Sequence, residues 1–307
     1  MTEALLTNFG ILAVALFVLV KASDFFVMAA EKIGLSLGIP PFIIGVTIVA
    51  FGTSLPELAS SIASVYAGAP EIVIGNVVGS NIANISLVLG LIAVVGKEVR
   101  MNDYIMYVDI PLLIMSAFLL WFVVSDKSVD VFEAIVLLIA LVIFLVHSLS
   151  GNKDEETERS KIDWKTILIL IAGGIGVKFG ADYTVEGIMG VAKALEIGEG
   201  VIAQSLVALG TSLPEVFVSI AAARKGQLDM AIGNVLGSNI FNTYAVMGIP
   251  ALLGTLVIPD DVLMFSLPLM IALTIILAII CITKVIGRWE GLMFLLLYAF
   301  FLVKLFI

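Results

Sequence analysis

The hexapeptide Gly-Thr-Ser-Leu-Pro-Glu occurs twice in the chain, at residues 52–57 and again at residues 210–215. Both copies lie within long stretches of otherwise apolar sequence. Each copy introduces a carboxylate, two hydroxyls and a proline into a segment that is otherwise suited to lipid. Such polar groups are costly in hydrocarbon and usually mark an ion or substrate path. The repeated hexapeptide therefore guides the interpretation of the whole sequence.

The composition predicts a membrane protein. The 307-residue chain is 61% hydrophobic and has a mean hydropathy of +1.18, whereas soluble domains are about 45–50% apolar. Apolar runs of roughly 20 residues, the length that spans a bilayer, recur along the chain. We predict an all-α membrane protein with ten transmembrane spans, numbered 1 to 10, near residues 4–31, 39–66, 71–96, 104–124, 129–148, 165–194, 199–223, 229–255, 262–283 and 288–306.

The two halves of the chain repeat each other with one constant offset, the 158 residues between Glu57 and Glu215. The alignment runs without a gap from the pair Asp24 and Asp182 to Gly90 and its counterpart. Such agreement indicates an internal duplication. Because each copy contains five spans, an odd number, the second copy must cross the membrane in the opposite sense. Inverted repeats of this kind are typical of secondary transporters, whose sites lie at the midplane between the copies.

The basic residues predict the orientation. Most of the 16 Lys and Arg residues lie in loops after odd-numbered spans, while Lys127, Lys193 and Lys304 lie on the other side. The positive-inside rule then places both termini outside a plasma membrane. The expected organisation is a first five-helix repeat at 1–148, a charged cytoplasmic linker at 149–164 and an inverted second repeat at 165–307.

Proline should break spans 2 and 7 at the repeated motif. Pro56 has no amide hydrogen and crowds the preceding turn, so a break is expected within residues 52–56. The break should free backbone carbonyls around Ala50–Thr53, and lining an ion site would satisfy them. Glu57 would then lie beside these carbonyls and the hydroxyls of Thr53 and Ser54. Span 7 supplies the same set from Ala208, Thr211, Ser212 and Glu215.

Spans 3 and 8 should complete this cluster of oxygen atoms. They offer Ser80 and Asn84, four residues apart on one helix face, and their counterparts Ser238 and Asn242. The small residues Gly75 and Gly79 should allow close approach to spans 2 and 7. For these two spans alone, helix packing is the more common explanation of the Gly and Ser pattern.

An all-oxygen cluster with two carboxylates suits a hard cation such as Ca²⁺, which takes about 6–8 oxygen ligands. The only cysteine, Cys281, and the only histidine, His147, lie outside the motifs, which argues against zinc or copper. No basic residue lies in spans 2, 3, 7 or 8 to pair with Glu57 or Glu215. We therefore expect a functional role for both glutamates, whereas the net charge of −9 reflects acids in surface loops.

Three further acidic residues have no assigned role. Asp24 and Asp182 lie in the first span of each repeat, where they cap a loop or line an access path, and Lys21 or Lys178 could pair with them. Asp109 in span 4 has no repeat partner and is unexplained.

The paired motifs resemble the alpha repeats of the sodium/calcium exchanger family, within the cation/calcium antiporter superfamily. The match covers residues 20–95 and 178–253, and the ten-span plan extends it to the whole chain. The chain looks like a compact prokaryotic member without a large cytoplasmic regulatory domain. The resemblance implies a secondary antiporter that exchanges Na⁺ for Ca²⁺ by alternating access, with spans 1 and 6 sliding across the other eight. No enzyme activity, cofactor or nucleic-acid partner is expected beside the ions and the lipid bilayer.

The resemblance also implies a set of ion ligands. Glu57 and Glu215, with the carbonyls of Thr53 and Thr211, would hold Ca²⁺. The sodium sites would use the same glutamates together with Ser54, Ser80, Asn84, Ser212, Ser238, Asn242 and the carbonyls of Ala50 and Ala208.

The sequence departs from the family pattern at two positions. Some members carry an aspartate where this chain has Asn242, which makes K⁺ co-transport less expected here. Gln204 stands where relatives commonly have an apolar residue. The Gly-Asn-x-x-Glu-His pattern of proton/calcium relatives is absent after Gly75, which disfavours proton coupling.

Three alternatives are open at this stage. The same fold could couple Ca²⁺ or another divalent cation to H⁺ or K⁺. A cation channel could use the glutamates as a selectivity filter, although a pair of broken helices suits alternating access better. An intramembrane acid protease is disfavoured because the repeated motifs contain no Asp dyad.

Overall fold

A computed structural model describes residues 2–96, 98–100, 109–150, 163–194, 210 and 212–305. Six of its helices are long and apolar enough to cross a membrane, as predicted for a multi-pass protein: Leu6–Ser36, Pro41–Tyr66, Glu71–Gly96, Val131–Ser150, Trp164–Val191 and Val262–Cys281. The predicted all-helical fold is confirmed.

The helices of the first repeat follow the predicted spans. Span 1 is Thr2–Ser36, and span 4 is Ile110–Val123. Span 2 consists of Pro41–Ile44, Gly45–Val49, Ala50–Thr53 and Leu55–Tyr66. Span 3 consists of Glu71–Ala83, Asn84–Val88 and Leu89–Gly96. Span 5 is Val131–Ser150. Span 1 is longer than predicted because its helix continues through Glu31 and Lys32, charged residues that are good helix formers.

The second repeat has the same order. Span 6 is Trp164–Ala194, and the described part of span 7 is Leu213–Arg224. Span 8 consists of Leu228–Phe241, Asn242–Val246 and Met247–Leu253. Span 9 consists of Val262–Ser266 and Leu267–Cys281. Span 10 is Arg288–Lys304. Among the described residues, four five-residue segments are π-helical: Gly45–Val49, Asn84–Val88, Asn242–Val246 and Val262–Ser266.

Spans 1 and 6 pack against each other along most of their lengths. A β-carbon on Gly173 would lie 3.0 Å from Phe26, and one on Gly180 would lie 2.8 Å from the Cα atom of Leu19. The contacts run in opposite directions along the two helices, so the pair is antiparallel. Glycine at every seventh position brings the backbones close together, as small residues do in membranes.

The first half of span 2 lies directly against span 8. A β-carbon on Gly237 would lie 2.4 Å from the carbonyl oxygen of Val46, so this position accepts only glycine at the present spacing. Gly79 is the counterpart of Gly237 in the first repeat. Neither Gly79 nor Gly75, one turn earlier, has a described atom within 4 Å of such a β-carbon. Their predicted packing partner in span 7 falls at residues 201–209, outside the described part of the chain.

Two short antiparallel strand pairs join loops of different repeats. Strand β1 (Glu98–Arg100), after span 3, pairs with β4 (Val285–Gly287), after span 9. Strand β2 (Ser128–Val129), after span 4, pairs with β3 (Leu256–Val257), after span 8. Loops that follow odd-numbered spans thus pair with each other, and loops that follow even-numbered spans pair with each other. This arrangement agrees with the alternating crossings that were predicted.

Candidate functional site

Span 2 is interrupted at a single residue, Ser54. The helix Ala50–Thr53 ends there, and a new helix begins at Leu55 with Pro56 in its first turn. The backbone angles of Ser54 are φ −89° and ψ 2°, and those of Ser212 are φ −88° and ψ −1°. The predicted break within residues 52–56 is confirmed, and the repeated sequence produces the same local geometry in span 7.

The break in span 2 is narrower than the sequence suggested. The carbonyl of Ala50 still accepts the amide of Ser54 at 3.0 Å and the hydroxyl of Thr53 at 3.3 Å. The helical ladder therefore persists up to Ser54, and the use of the Ala50 carbonyl as an ion ligand stays a prediction.

Glu57 and Glu215 both lie in the first turn of the helix that follows the break. They are 0% and 1% exposed, and Ser54, three residues before Glu57, lies 3.3 Å from the carboxylate of Glu215. Among the described residues, neither forms an ion pair, and no third acidic, His or Cys side chain joins them. Two buried carboxylates without a counter-charge cost several kcal/mol each, so this pair favours a bound cation.

Hydrogen bonds from the motif of span 2 reach into the second repeat. The hydroxyl of Ser54 donates to Oε1 of Glu215 at 3.3 Å. The hydroxyl oxygen of Thr53 lies 3.2 Å from Oδ1 of Asn234 and 3.4 Å from the hydroxyl of Ser238, so its one proton is shared between Asn234 and the Ala50 carbonyl. These contacts join spans 2, 7 and 8 in one cluster, which we call the central cluster and which consists of Thr53, Ser54, Glu215, Ser238 and Asn234.

Several buried oxygen atoms of the predicted ligand residues have no hydrogen-bond partner in the described structure. They come from spans 2, 3, 7 and 8: both carboxylate oxygens of Glu57, Oε2 of Glu215, Oδ1 of Asn84, Oδ1 of Asn242 and Oγ of Ser212. Buried polar atoms are normally satisfied. A set of unsatisfied oxygens from four helices is suited to replace the hydration shell of a hard cation.

Asn84 and Asn242 occupy matching positions in spans 3 and 8. Each is the first residue of a five-residue π-helical segment, and each is fully buried. π-helical turns are rare and occur frequently at functional sites. Ser80 and Ser238, one turn earlier in each span, are also buried. Sequence periodicity predicted the shared face but gave no signal for the π-helical turns.

Two asparagines of the same face hold spans together. The side-chain amide of Asn76 donates to the hydroxyl of Ser61 at 3.0 Å and to the carbonyl of Glu57 at 3.1 Å. Its counterpart Asn234 donates to the hydroxyl of Ser219 at 2.9 Å. The sequence placed Asn76 on the polar face without giving it or Asn234 a role, although both belong to the repeated Ile-Gly-Asn-Val motif.

The remaining polar residues lie apart from the central cluster's hydrogen bonds. Lys178 forms an ion pair with Asp182 one turn later, as the sequence allowed. The main-chain oxygen of Asp24 accepts a hydrogen bond from Lys225. Asp109 is buried, and neither carboxyl oxygen has a partner in the described structure. Three predicted or noted positions lie outside the described residues: Ala208, Thr211 and Gln204.

Comparison with known families gives a match over both halves of the chain. The family model described as sodium/calcium exchanger protein matches residues 7–150 and again residues 165–307. The two matches together cover nearly the whole chain, and each contains one copy of the hexapeptide.

Individual relatives match over almost the full length. The sodium/calcium exchanger MaX1 of Methanosarcina acetivorans is 37% identical over 97% of this chain and 98% of that protein. The inner membrane protein YrbG of Escherichia coli is 31% identical over 89% of this chain and 88% of that protein. A solved structure of the sodium–calcium exchanger NCX_Mj, soaked with 10 mM Na⁺ and no Ca²⁺, superposes with a TM-score of 0.85 and 33% identity, over 96% of this chain and 98% of that one.

Proposed function

Because this chain belongs to the sodium/calcium exchanger protein family, we propose that it exchanges Na⁺ for Ca²⁺ across a membrane by alternating access. One observation carries the proposal. Two buried carboxylates, Glu57 and Glu215, come from the two repeats, the residue at which span 2 breaks donates a hydrogen bond to Glu215, and neither carboxylate has a basic partner in the described structure. The name of the relative MaX1 and the likeness to NCX_Mj support Na⁺ and Ca²⁺ as the ions.

We assign the ion ligands as the sequence motif predicts. Glu57 and Glu215 bind Ca²⁺, together with the main-chain carbonyls of Thr53 and Thr211. The sodium sites use the same carboxylates with hydroxyl, carboxamide and carbonyl oxygens from the repeated motifs: Ser54, Ser80, Asn84, Ser212, Ser238, Asn242, Ala50 and Ala208. The unsatisfied buried oxygens of Glu57, Glu215, Asn84, Asn242 and Ser212 support this assignment.

The charge of the site explains why the protein exchanges ions instead of leaking them. Closing the protein around two bare carboxylates leaves mutual repulsion and lost hydration uncompensated, at several kcal/mol per ion. One Ca²⁺ neutralises both charges, and Na⁺ ions bound to the same glutamates do so as well. Only the loaded protein then changes conformation easily, so the movement of one ion requires the return of the other.

The packing of spans 1 and 6 supports the predicted sliding movement. These helices contact each other extensively, and glycine backbones form much of their interface. Close packing along this length lets the two helices move as one body. Span 1 is also tied to the turn between spans 7 and 8 by hydrogen bonds from Lys225 to the Asp24 carbonyl and from Gln227 to Glu31. We propose that these contacts hold the pair at one end of its travel.

We propose that the chain divides into repeats at 1–148 and 165–307, joined by a cytoplasmic linker at 149–164, with both termini outside a plasma membrane. The strand pairs β1–β4 and β2–β3 support the alternation of the loops. Labelling of single cysteines placed at residues 2 and 153 of a Cys281→Ala background tests the orientation. A membrane-impermeant reagent should label intact cells at residue 2 only, and labelling at residue 153 only would reverse the assignment.

Ion coupling is tested by ⁴⁵Ca²⁺ uptake into proteoliposomes under separately imposed Na⁺, K⁺ and H⁺ gradients. We expect uptake with an outward Na⁺ gradient and background uptake with the other two gradients. Uptake driven only by the H⁺ gradient or only by the K⁺ gradient would overturn the assignment to Na⁺. Saturable flux without single-channel current steps distinguishes an exchanger from a channel.

A further inference from the structure

Two buried asparagines outside the assigned ligand set join the repeats directly. The side-chain amide of Asn81 donates to the main-chain oxygen of Asn239 at 3.3 Å, and the amide of Asn239 donates to the main-chain oxygen of Asn81 at 3.4 Å. The two residues occupy matching positions in spans 3 and 8. Their reciprocal hydrogen bonds therefore follow the pseudo-twofold symmetry that relates the two repeats.

A further hydrogen bond joins Asn81 to a ligand asparagine, and the matching bond of Asn239 is not made in the described structure. The side-chain amide of Asn242 donates to Oδ1 of Asn81 at 3.2 Å. The matching contact would join the amide of Asn84 to Oδ1 of Asn239, but both atoms lack a partner among the residues that the structure describes. The ligand asparagine of the second repeat is thus held by a neighbour, whereas that of the first repeat is not.

A difference between the two sequences explains the asymmetry. The amide of Asn81 also donates to the hydroxyl of Thr243 at 3.1 Å and lies 3.6 Å from the sulfur of Met270. In the first repeat the position of Thr243 is taken by Ile85, which offers no acceptor. Acceptors on one side of the Asn81 carboxamide fix its NH₂ group there, so its carbonyl oxygen faces Asn242.

We propose that Asn81 is a positioning residue for ion binding. It anchors the NH₂ group of Asn242 and thereby directs the oxygen of that carboxamide, which is fully buried and without a hydrogen-bond partner in the described structure, towards the transported ions. This inference rests on the proposed function because it requires Asn242 to be an ion ligand. Since Asn242 is assigned to the sodium sites, loss of Asn81 should weaken Na⁺ binding more than Ca²⁺ binding.

Matched substitutions in the two repeats test the inference. Asn81→Ala and Asn239→Ala each remove one amide-to-carbonyl bond between the repeats, but only Asn81→Ala removes the anchor of Asn242. Partners that orient a metal ligand typically contribute about 10–100-fold to affinity. We expect Asn81→Ala to raise the half-saturating Na⁺ concentration about tenfold while changing that of Ca²⁺ less than about threefold. Asn239→Ala should change both less than about threefold.

Two further variants separate positioning from a general loss of structure. Thr243→Val keeps the side-chain shape and removes one acceptor of Asn81, so it should shift the Na⁺ value in the same direction by a smaller factor. In the background of Asn242→Ala, adding Asn81→Ala should have little further effect, because the group that it positions is gone. Melting temperatures report whether each variant folds.

The outcomes distinguish this inference from the proposed function. If the unmodified protein shows no Na⁺-driven Ca²⁺ uptake, the proposed function fails. If it shows uptake but Asn81→Ala and Asn239→Ala shift the Na⁺ value equally, or if Asn81→Ala shifts both ions equally, the positioning role is wrong. If Asn81→Ala does not fold, Thr243→Val decides, and an unchanged Na⁺ value in that variant would overturn the inference.

Discussion

The hydroxyl of Ser54 lies 3.3 Å from Oε1 of Glu215 and donates a hydrogen bond to it. These residues are 161 positions apart in the chain and belong to different repeats. The two repeats therefore both contribute to the proposed ion site: the carboxylate of one broken helix accepts a hydrogen bond from the residue at which the other helix breaks. The matching hydroxyl, that of Ser212, has no partner in the described structure, so the two halves of the cluster are not identical.

Substitution of Ser54 should have a larger effect than substitution of Ser212. Ser54→Ala removes a hydrogen bond to a carboxylate, and such bonds contribute about 1.5–3 kcal/mol. Because 1.4 kcal/mol corresponds to about tenfold, we expect the half-saturating Ca²⁺ concentration to rise about tenfold in Ser54→Ala. Ser212→Ala should change it less than about threefold. Ca²⁺ titration of Na⁺-driven flux measures both, and a larger effect of Ser212→Ala would contradict the observed asymmetry.

The glycine interface between spans 1 and 6 should tolerate no added methyl group at its centre. In Gly180→Ala the new β-carbon would lie 2.8 Å from the Cα atom of Leu19, and such overpacking costs about 1–3 kcal/mol. We expect a lower melting temperature and a lower rate of Ca²⁺ uptake. Gly10→Ala is the control, since its β-carbon has no described atom within 4 Å. Unchanged stability and rate in Gly180→Ala would refute the close approach of the two helices.

Removal of the contacts between span 1 and the turn after span 7 should loosen the end of span 1. The variant Lys225→Ala/Gln227→Ala loses the hydrogen bonds to Asp24 and Glu31. Loss of about 1.4 kcal/mol corresponds to about tenfold faster amide hydrogen exchange in this part of span 1. Lys127→Ala, which removes an ion pair in the loop after span 4, should leave exchange in span 1 unchanged. Equal exchange rates in the double variant and the unmodified protein would show that these contacts do not restrain span 1.

Asp109 should prove dispensable for transport. It is buried without a partner in the described structure, and no hydrogen bond joins it to the central cluster. Asp109→Asn removes the possibility of a buried charge, so we expect Na⁺-driven uptake within about twofold of the unmodified protein and a melting temperature at least as high. Glu71→Gln, at an exposed carboxylate, is the control. Loss of uptake in Asp109→Asn alone would place Asp109 on the ion path.

The sequence predicted much of the fold and of the site because the information is local and repeated. Pro56 and its counterpart determine where the helices break, and the shared motif places Glu57 and Glu215 after the breaks. The duplication and the odd number of spans in each copy then predict that the two motifs meet at the midplane, without any knowledge of packing. Hydropathy placed the end of span 1 too early because a helix can continue through charged residues once it leaves the membrane.

Other features depend on contacts that no local pattern encodes. The π-helical turns that begin at Asn84 and Asn242 are one example. The pair Asn81 and Asn239 was visible in the repeat as an identical polar residue within a span, which could have signalled a role. Only Asn81 of this pair contacts Asn242, because the second repeat has Thr243 at the position where the first repeat has Ile85. Only the packed structure reveals the effect of this difference.

The most direct test of the account is Ca²⁺ binding by the purified protein, measured by isothermal titration calorimetry without Na⁺. The unmodified protein should bind Ca²⁺, whereas Glu57→Gln and Glu215→Gln should each bind at least about a hundredfold more weakly, since a charged ligand contributes on the order of 3 kcal/mol. Glu71→Gln should bind like the unmodified protein. Unaltered Ca²⁺ affinity in either Glu57→Gln or Glu215→Gln would contradict a site shared between the two repeats.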